Sequence, residues 1–419
     1  MPEIGDVRRY LEEFSLTAEV QQSFTDNRRP VRTEVISDNN STTPFFINEF
    51  WTARQRQAAS IHEISYRACF KPQLPRFFIN LLTEPGQTVY DPFAGRGTTA
   101  IEAALMKRRV ITNDINPLSR VFTEPRLEVP PLDMIRKRLK EIPLNGNVTG
   151  DLDLSMFYHP KTESELYAMR SYFIEQKKNI REDAADRWIR MVATNRLSGH
   201  SKGFFSVYTL PPNQAVSIER QEKINRTRGQ KPEYRDVKAI IFKKSSRLLR
   251  NISAKELKLL QEAAKSALFL EKDASRTAEI AAESVDLTVT SPPFLNVVQY
   301  SKDNWLRCWF NDINTDDIEQ RLTMAATLNR WSAVMSRVFM ELYRITRPGG
   351  WIAFEVGEIR GGTINLEDSV IPLGLNSGFK CAGVVINRQK FTKTANIWGV
   401  NNNRSGTNSN RIVLFHKHS

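Results

Sequence analysis

Apolar and polar positions alternate in short bursts in two parts of this 419-residue chain, and the bursts read as strands. In the first part, "KPQLPRFFINLL" places apolar residues at helical spacing. A strand ending near Tyr90, a helix opening at Thr98 and a second strand ending at Asp114 follow it. In the second part, "SALFLE", "DLTVT", "WIAFEV", "CAGVVI" and "RIVLF" are each bounded by turn residues. Residues 126–265 break this grammar with helix-like segments and a basic run. Residues 1–45 are polar, carry "SDNNSTTP" and read as an arm. The pattern predicts an α/β sheet with a long insertion. Residues 46–125 form one half of the sheet domain, residues 266–419 the other, and residues 126–265 the insertion.

Composition adds a partner class. Lys and Arg total 60 against 47 Asp and Glu, a formal net charge of +13. A chain this basic suits a polyanion, because cations that neutralise phosphates release condensed counterions. No apolar run approaches the roughly 20 residues that span a bilayer, and "MPEIGDVRRYLEEF" has acids and arginines where a signal peptide would be apolar. The expected location is cytoplasmic. Cys69, Cys308 and Cys381 form no paired motif, and His62, His159, His200, His416 and His418 show no ligand spacing, so no metal site is expected.

The first candidate site is "VYDPFAGRGTTAIEAALMKRRVITNDINP". Asp91, Gly95 and Gly97 turn the chain after a strand, and Thr98 opens a helix whose free N–H groups favour negative charge. Asp114 ends the next strand about twenty residues on, where a carboxylate can hold ribose hydroxyls. The spacing matches neither G-x-G-x-x-G nor a P-loop, which disfavours phosphate cofactors. A nucleoside without phosphates fits better, and S-adenosyl-L-methionine is the common one.

The second is "DLTVTSPPF", a strand that stops at Ser291, Pro292, Pro293 and Phe294. Ligands of open α/β sheets sit beyond the carboxyl ends of strands, which puts this corner beside the cofactor. Two prolines remove two N–H donors and leave an acceptor wall. Ser291 Oγ and the Pro292 carbonyl can both accept from one exocyclic NH₂ group, with Phe294 stacked on its ring. Such a grip favours a pyramidal amine whose lone pair is free for in-line attack on a methyl donor. No strong base is needed to start, since the methylated cation is acidic enough to lose a proton afterward. A serine hydrolase reading lacks the G-x-S-x-G elbow.

"DPFAGRGTT", "DIN" and "TSPPF" together resemble the exocyclic-amino DNA methyltransferases, which modify cytosine N4 or adenine N6. The resemblance implies a Rossmann-like class I methyltransferase sheet, mixed and mostly parallel, of seven strands. It implies that Asp91, Phe93, Gly95, Gly97, Thr98, Asp114 and Ile115 hold the cofactor. "HEISYRACFKPQLPRFFI", with Lys71, is similar to the segment covering the methionine end, and "EKDASR" to the adenine-contacting motif, which points to Asp273. A serine before the two prolines accompanies cytosine in this family, so Ser291 implies N4-methylcytosine. N6-methyladenine is the alternative, then an RNA amino-methyltransferase or a noncatalytic nucleic-acid binder. Ring-carbon methylation needs a Pro-Cys nucleophile that the sequence lacks. Tyr300, Asn304 and Trp305 are candidates for the base pocket.

The implied substrate is double-stranded DNA, whose target base must be flipped out at a cost that contacts to the duplex offset. Candidates for those contacts are Arg226, Arg228, Lys243, Lys244 and Arg247 in the insertion, and Arg388, Lys393, Trp398 and Arg404 near the end of the chain. The resemblance also raises a nucleoid-associated monomer or homodimer in a restriction-modification system, with a cognate restriction endonuclease. One departure stands out: the long insertion precedes Asp273, whereas the family commonly places recognition segments elsewhere.

Overall fold

Strand β6 (Val285–Thr290) is buried at every residue, as a strand covered on both faces must be. The computed structural model describes residues 1–15, 33–36, 43–51, 58–66, 69–144, 148, 150, 152–209, 215–293, 300–321, 327–356, 358–359, 364–388 and 409–418. Around β6 stand β1 (Glu34–Ile36), β2 (Phe45–Asn48), β3 (Thr88–Asp91), β4 (Arg109–Asn113), β5 (Leu268–Leu270), β7 (Thr346–Val356), β10 (Lys380–Arg388) and β11 (Ser409–His416). They form one sheet in the order β1-β2-β10-β11-β7-β6-β3-β4-β5. The pairs from β7 through β6, β3 and β4 to β5 are parallel, while β11 runs antiparallel to both its neighbours. Strands β8 (Glu358–Ile359) and β9 (Ile364–Asn365) pair separately.

The sheet is mixed and mostly parallel, as expected, but among the described residues its main sheet has 9 strands where seven were expected. The two additional strands are β1 and β2, beyond β10. They lie at or next to the segment read as a polar arm, and at 3 and 4 residues they are too short to show an alternation. Helix α1 (Ile4–Glu13) also docks there. It buries Val7 and Leu11, and Arg8 Nε donates to the Ala382 carbonyl at 2.8 Å.

Helices cover both faces. Those that position the site are α2 (Gln73–Leu82), α3 (Thr98–Leu105), which follows β3, and α4 (Leu118–Leu127), which follows β4. The insertion continues the β4-to-β5 crossover as α5 (Leu132–Glu141), α6 (Pro160–Lys178), α7 (Ala184–Arg196), α8 (Ile218–Arg228), α9 (Val237–Leu249) and α10 (Ala254–Ala264). Its Trp188, Ile189 and Ile241 belong to the same buried cluster as Leu287 and Val289 of β6, so the insertion shares the core of the sheet. After β6 come α11 (Tyr300–Phe310), α12 (Thr315–Arg321), α13 (Leu328–Ile345) and, before β10, α14 (Glu367–Asn376). Among the described residues no helix is long and apolar enough to cross a membrane.

Candidate active site

The strand order reverses between β3 and β6, so the chain leaves these neighbours in opposite directions and opens a crevice at their carboxyl ends. The glycine loop lies there. Gly95 and Gly97 have φ of +52° and +72°, and a Cβ on Gly97 would stand 2.2 Å from Thr123 Oγ1, so no other residue fits. Asp91 Oδ1 accepts from the Phe93 N–H at 3.1 Å and from the Thr290 hydroxyl at 2.6 Å. Asp114 accepts from the Gly95 N–H at 2.8 Å and the Asn116 N–H at 2.9 Å. Burial pushes both carboxyls up to about 6 against the pull of these hydrogen bonds, and the charge of Asp114 adds to the push on Asp91.

A set of arginine–carbonyl hydrogen bonds and an ion cluster around the buried Glu102 hold the neighbouring segments in place. Arg96 donates through Nη1 to the Ile64 carbonyl at 2.8 Å and through Nη2 to the Phe70 carbonyl at 3.3 Å, which ties both residues to the glycine loop. The fully buried Arg126 bonds the carbonyls of Arg96 and Ile61 from α4. Glu102 of α3, also buried, meets His62 Nε2 at 2.7 Å and Arg76 Nε at 2.6 Å. Asn113, one residue before Asp114, reads in the sequence as an ordinary strand end. It clamps the ends of β3 and β5, donating to the Pro92 carbonyl at 3.2 Å and the Lys272 carbonyl at 3.0 Å, and accepting from Lys272 N–H at 2.9 Å.

The other residues expected to hold the cofactor lie on segments flanking this loop. Phe93 is half-buried against the cluster of Tyr90 and Leu270, Ile115 is half-buried beside Asp114, and Thr98 is buried at the start of α3. Asp273 is exposed after β5 and closes a turn by accepting from the Ser275 N–H and hydroxyl, both at 2.8 Å. Lys71 is exposed, two residues before α2.

The proline corner faces the glycine loop across the crevice. The Thr99 hydroxyl donates to the Val289 carbonyl at 3.2 Å, so the first turn of α3 is tied to the end of β6. Pro292 is buried, Ser291 and Pro293 are half-buried, and the Trp331 indole of α13 fixes the Pro293 carbonyl at 3.0 Å. Phe294 lies outside the described residues. Beside Ser291 stands a carboxyl that the motif reading missed. Thr290 pairs with Phe354, which brings Glu355 of β7 level with Ser291. Glu355 is 8% exposed, accepts from Asn410 Nδ2 at 2.5 Å, and is hydrogen-bonded by the Ser291 side chain. Burial pushes it up to about 7. The signal was one carboxylate inside the apolar strand "WIAFEV", a residue type almost never buried without a reason.

The basic residues divide. Arg226 and Arg228 lie exposed on α8, and Arg228 stacks 3.9 Å over the Tyr208 ring, bordering a groove of about 780 Å³ that Arg220 and Lys223 also line. Lys243 is exposed on α9. Its neighbour Lys244 is not a surface cation: it is buried, donates to the Glu63 carbonyl at 2.5 Å, and burial lowers it to about 7. Phosphate contact is therefore the wrong role for Lys244. On a helix, successive residues point about 100° apart, so a charge run cannot face one way. Arg247 is exposed but bonds Glu63 Oε2 at 2.8 Å, and Arg388 lies 3.5 Å from Glu34. Lys393, Trp398 and Arg404 lie outside the described residues. Trp305 donates to the Val216 carbonyl at 3.1 Å, which ties α11 to the insertion, and the buried Asn304 accepts from Arg307 of the same helix at 2.9 Å.

The DNA methylase family model matches residues 15–119, the segment that runs through the glycine loop to Asp114. The resemblance drawn from the motifs is borne out over that segment, and the cofactor of this family is S-adenosyl-L-methionine. No curated protein matches the chain. Among solved structures, the chain aligns with a DNA modification methylase candidate from Thermus thermophilus complexed with S-adenosyl-L-methionine. The identity is 22% over 35% of this chain and 51% of that one, with a TM-score of 0.22. It also aligns with TrmN from Thermus thermophilus (13% identity, 87% and 52% covered, TM-score 0.30). A third alignment is with the rRNA methyltransferase aviRa from Streptomyces viridochromogenes (10%, 86% and 90%, 0.33). The chain spans about half the length of the Thermus thermophilus DNA modification methylases it matches.

Proposed function

We propose that this protein is an S-adenosyl-L-methionine-dependent DNA methyltransferase that modifies the exocyclic N4 amine of cytosine. The observation that carries the reading is the juxtaposition of the Ser291-Pro292 corner with the glycine loop, through the 2.6 Å bond from Thr290 to Asp91. The donor set of the crevice fits the cofactor: two carboxyls whose ionisation burial opposes suit a ligand with positive charge and sugar hydroxyls.

When bound, S-adenosyl-L-methionine supplies a methyl group on a positively charged sulfur. In this reading Asp114 accepts from ribose hydroxyls, Asp273 and Ile115 face the base, and Asp91, Lys71 and the glycine loop face the amino-acid end. Ser291 Oγ and the Pro292 carbonyl accept the two N–H bonds of the target amine and hold its lone pair toward the methyl group. Phe294 is the ring proposed to stack on the base. The duplex is held by exposed cations of the insertion, Arg226, Arg228 and Lys243, together with Arg247, Arg388 and the Lys393, Trp398 and Arg404 segment. A DNA substrate puts the work at the nucleoid in the cytoplasm, and the family resemblance suggests a cognate restriction endonuclease as partner.

The test is methyl transfer from labelled cofactor to duplex DNA and to tRNA, with the products digested to nucleosides. N4-methylcytosine from DNA is expected. N6-methyladenine would move the substrate to the alternative base, and label in tRNA alone would overturn the DNA reading. Ser291→Ala should lower turnover about a hundredfold with cofactor affinity nearly unchanged; equal loss of both would remove Ser291 from the amine site.

A further inference from the structure

We propose that Glu355 is the positioning residue that orients the Ser291 hydroxyl and receives, through it, the proton released by the methylated amine. This rests on the amine-methylation reading and names the proton's destination, which the proline corner by itself leaves open.

The geometry is specific. A serine hydroxyl has one proton and two lone pairs. The register brings Glu355 level with Ser291, whose side chain lowers the carboxyl as a hydrogen-bond partner does; an ionised carboxylate can only accept, so a bond between them uses the serine proton and leaves the oxygen lone pairs for the amine. Asn410, on the other flanking strand, holds the second side of the carboxyl at 2.5 Å. Asn410 pairs across β10–β11 with Asn387, which bonds the Phe50 and Trp51 N–H groups at 2.8 and 3.2 Å, so the whole polar row is fixed. Serine alone is a poor resting place for a proton. A carboxyl behind it is a good one.

The surroundings suit a group that cycles between its two forms. Burial pushes Glu355 up to about 7, eased by the hydrogen bonds from Asn410 and Ser291. Those two neutral side chains face it from β11 and the end of β6, and among the described residues no ionised group contributes to its shift. The other titrating carboxyls of the crevice, Asp91 and Asp114, belong to the glycine-loop side, where Asp91 is bonded to Thr290 and Asp114 to the Gly95 N–H. A proton acceptor near neutrality matches the working pH.

The step balances. The amine nitrogen forms a bond to the methyl carbon as the carbon–sulfur bond breaks, with that electron pair staying on sulfur. The nitrogen is then positively charged. Its proton passes to Ser291 Oγ while the Ser291 O–H proton passes to a Glu355 oxygen. A neutral methylated amine, a neutral serine and a neutral carboxylic acid remain, and the acid returns its proton to water when the product leaves.

The experiment compares wild type with Glu355→Gln and Glu355→Asp at saturating cofactor and DNA. In wild type, turnover should rise with pH through about 7. Glu355→Gln keeps an acceptor for the serine but cannot take a proton, so turnover should fall about a hundredfold and lose that limb, with cofactor affinity by calorimetry unchanged. Glu355→Asp should keep a limb. A readout independent of turnover is the infrared carbonyl stretch of a protonated carboxyl in the free protein, which should titrate near neutrality and vanish in Glu355→Gln. Wild-type turnover and pH profile in Glu355→Gln, or a carboxyl already ionised at pH 5, would overturn the proton role while leaving the methyltransferase reading intact. No methyl transfer by wild type to any nucleic acid would overturn both.

Discussion

The Thr290 hydroxyl donates to Asp91 Oδ1 at 2.6 Å, joining the last residue of the strand before the proline corner to the last residue of the strand before the glycine loop. Both residues are buried, so this bond couples the two halves of the crevice across a chain separation of 199 residues.

Thr290→Val should therefore weaken cofactor binding and turnover together. The variant has nearly the same shape but leaves a buried carboxylate short of a donor, a loss of about 1–3 kcal/mol. Calorimetry with the cofactor and single-turnover methylation would show it. A defect in turnover alone would mean that the bond only shapes the corner.

Cofactor affinity should fall as pH drops below 6. Asp91 and Asp114 have folded values near 6, raised by burial above the ordinary 3.8. A raised carboxyl binds its proton more tightly in the folded state, so each destabilises the free protein above pH 6 and is relieved as pH falls toward 4. The relieved form has given up the charge that a cationic ligand needs. Affinity should drop by up to about tenfold per pH unit for each carboxylate that must be ionised. Asp114→Asn should bind weakly at pH 8 and lose one part of that dependence; calorimetry between pH 5 and 8 decides it.

Glu102 should act in the opposite sense. Burial works to raise its carboxyl, but the hydrogen bonds and charges of His62 and Arg76 hold it below its ordinary 4.5. Its stabilisation is present above about 4.5 and is lost as pH falls through the lower folded value. Glu102→Gln should cost about 2–3 kcal/mol at pH 7, discounted because Arg76 is half exposed, and the difference should shrink below pH 4. Urea unfolding at both pH values measures it. An equal loss at both would assign the effect to packing.

Salt dependence should separate the cations of the insertion. Neutralising Arg226, Arg228 and Lys243 should flatten the slope of log affinity for DNA against log salt by about one for each phosphate that is no longer neutralised. Lys244→Met should leave the slope unchanged and lower the melting temperature, because Lys244 bonds the Glu63 carbonyl and is buried. A slope change in Lys244→Met would place that ammonium on the DNA after all.

The glycine loop, Asp114 and the Ser291 corner were legible because each is a contiguous stretch whose backbone conformation is set by its own residues. Gly97 has positive φ, and the prolines remove their own donors. Parallel strands bounded by turns were legible for the same reason, while β1 and β2 at the sheet edge were too short to declare themselves. What the chain order could not decide is who stands beside whom. Asp91 meets Thr290, Glu355 comes level with Ser291, and Lys244 turns inward while Lys243 turns outward. These follow from sheet register and helix rotation, which are chosen by burying the most apolar surface across the whole fold. The sequence determined which chemical groups the crevice could contain; tertiary packing decided which of them are buried, paired and pushed toward neutrality, because desolvation and partner distance exist only once distant segments meet.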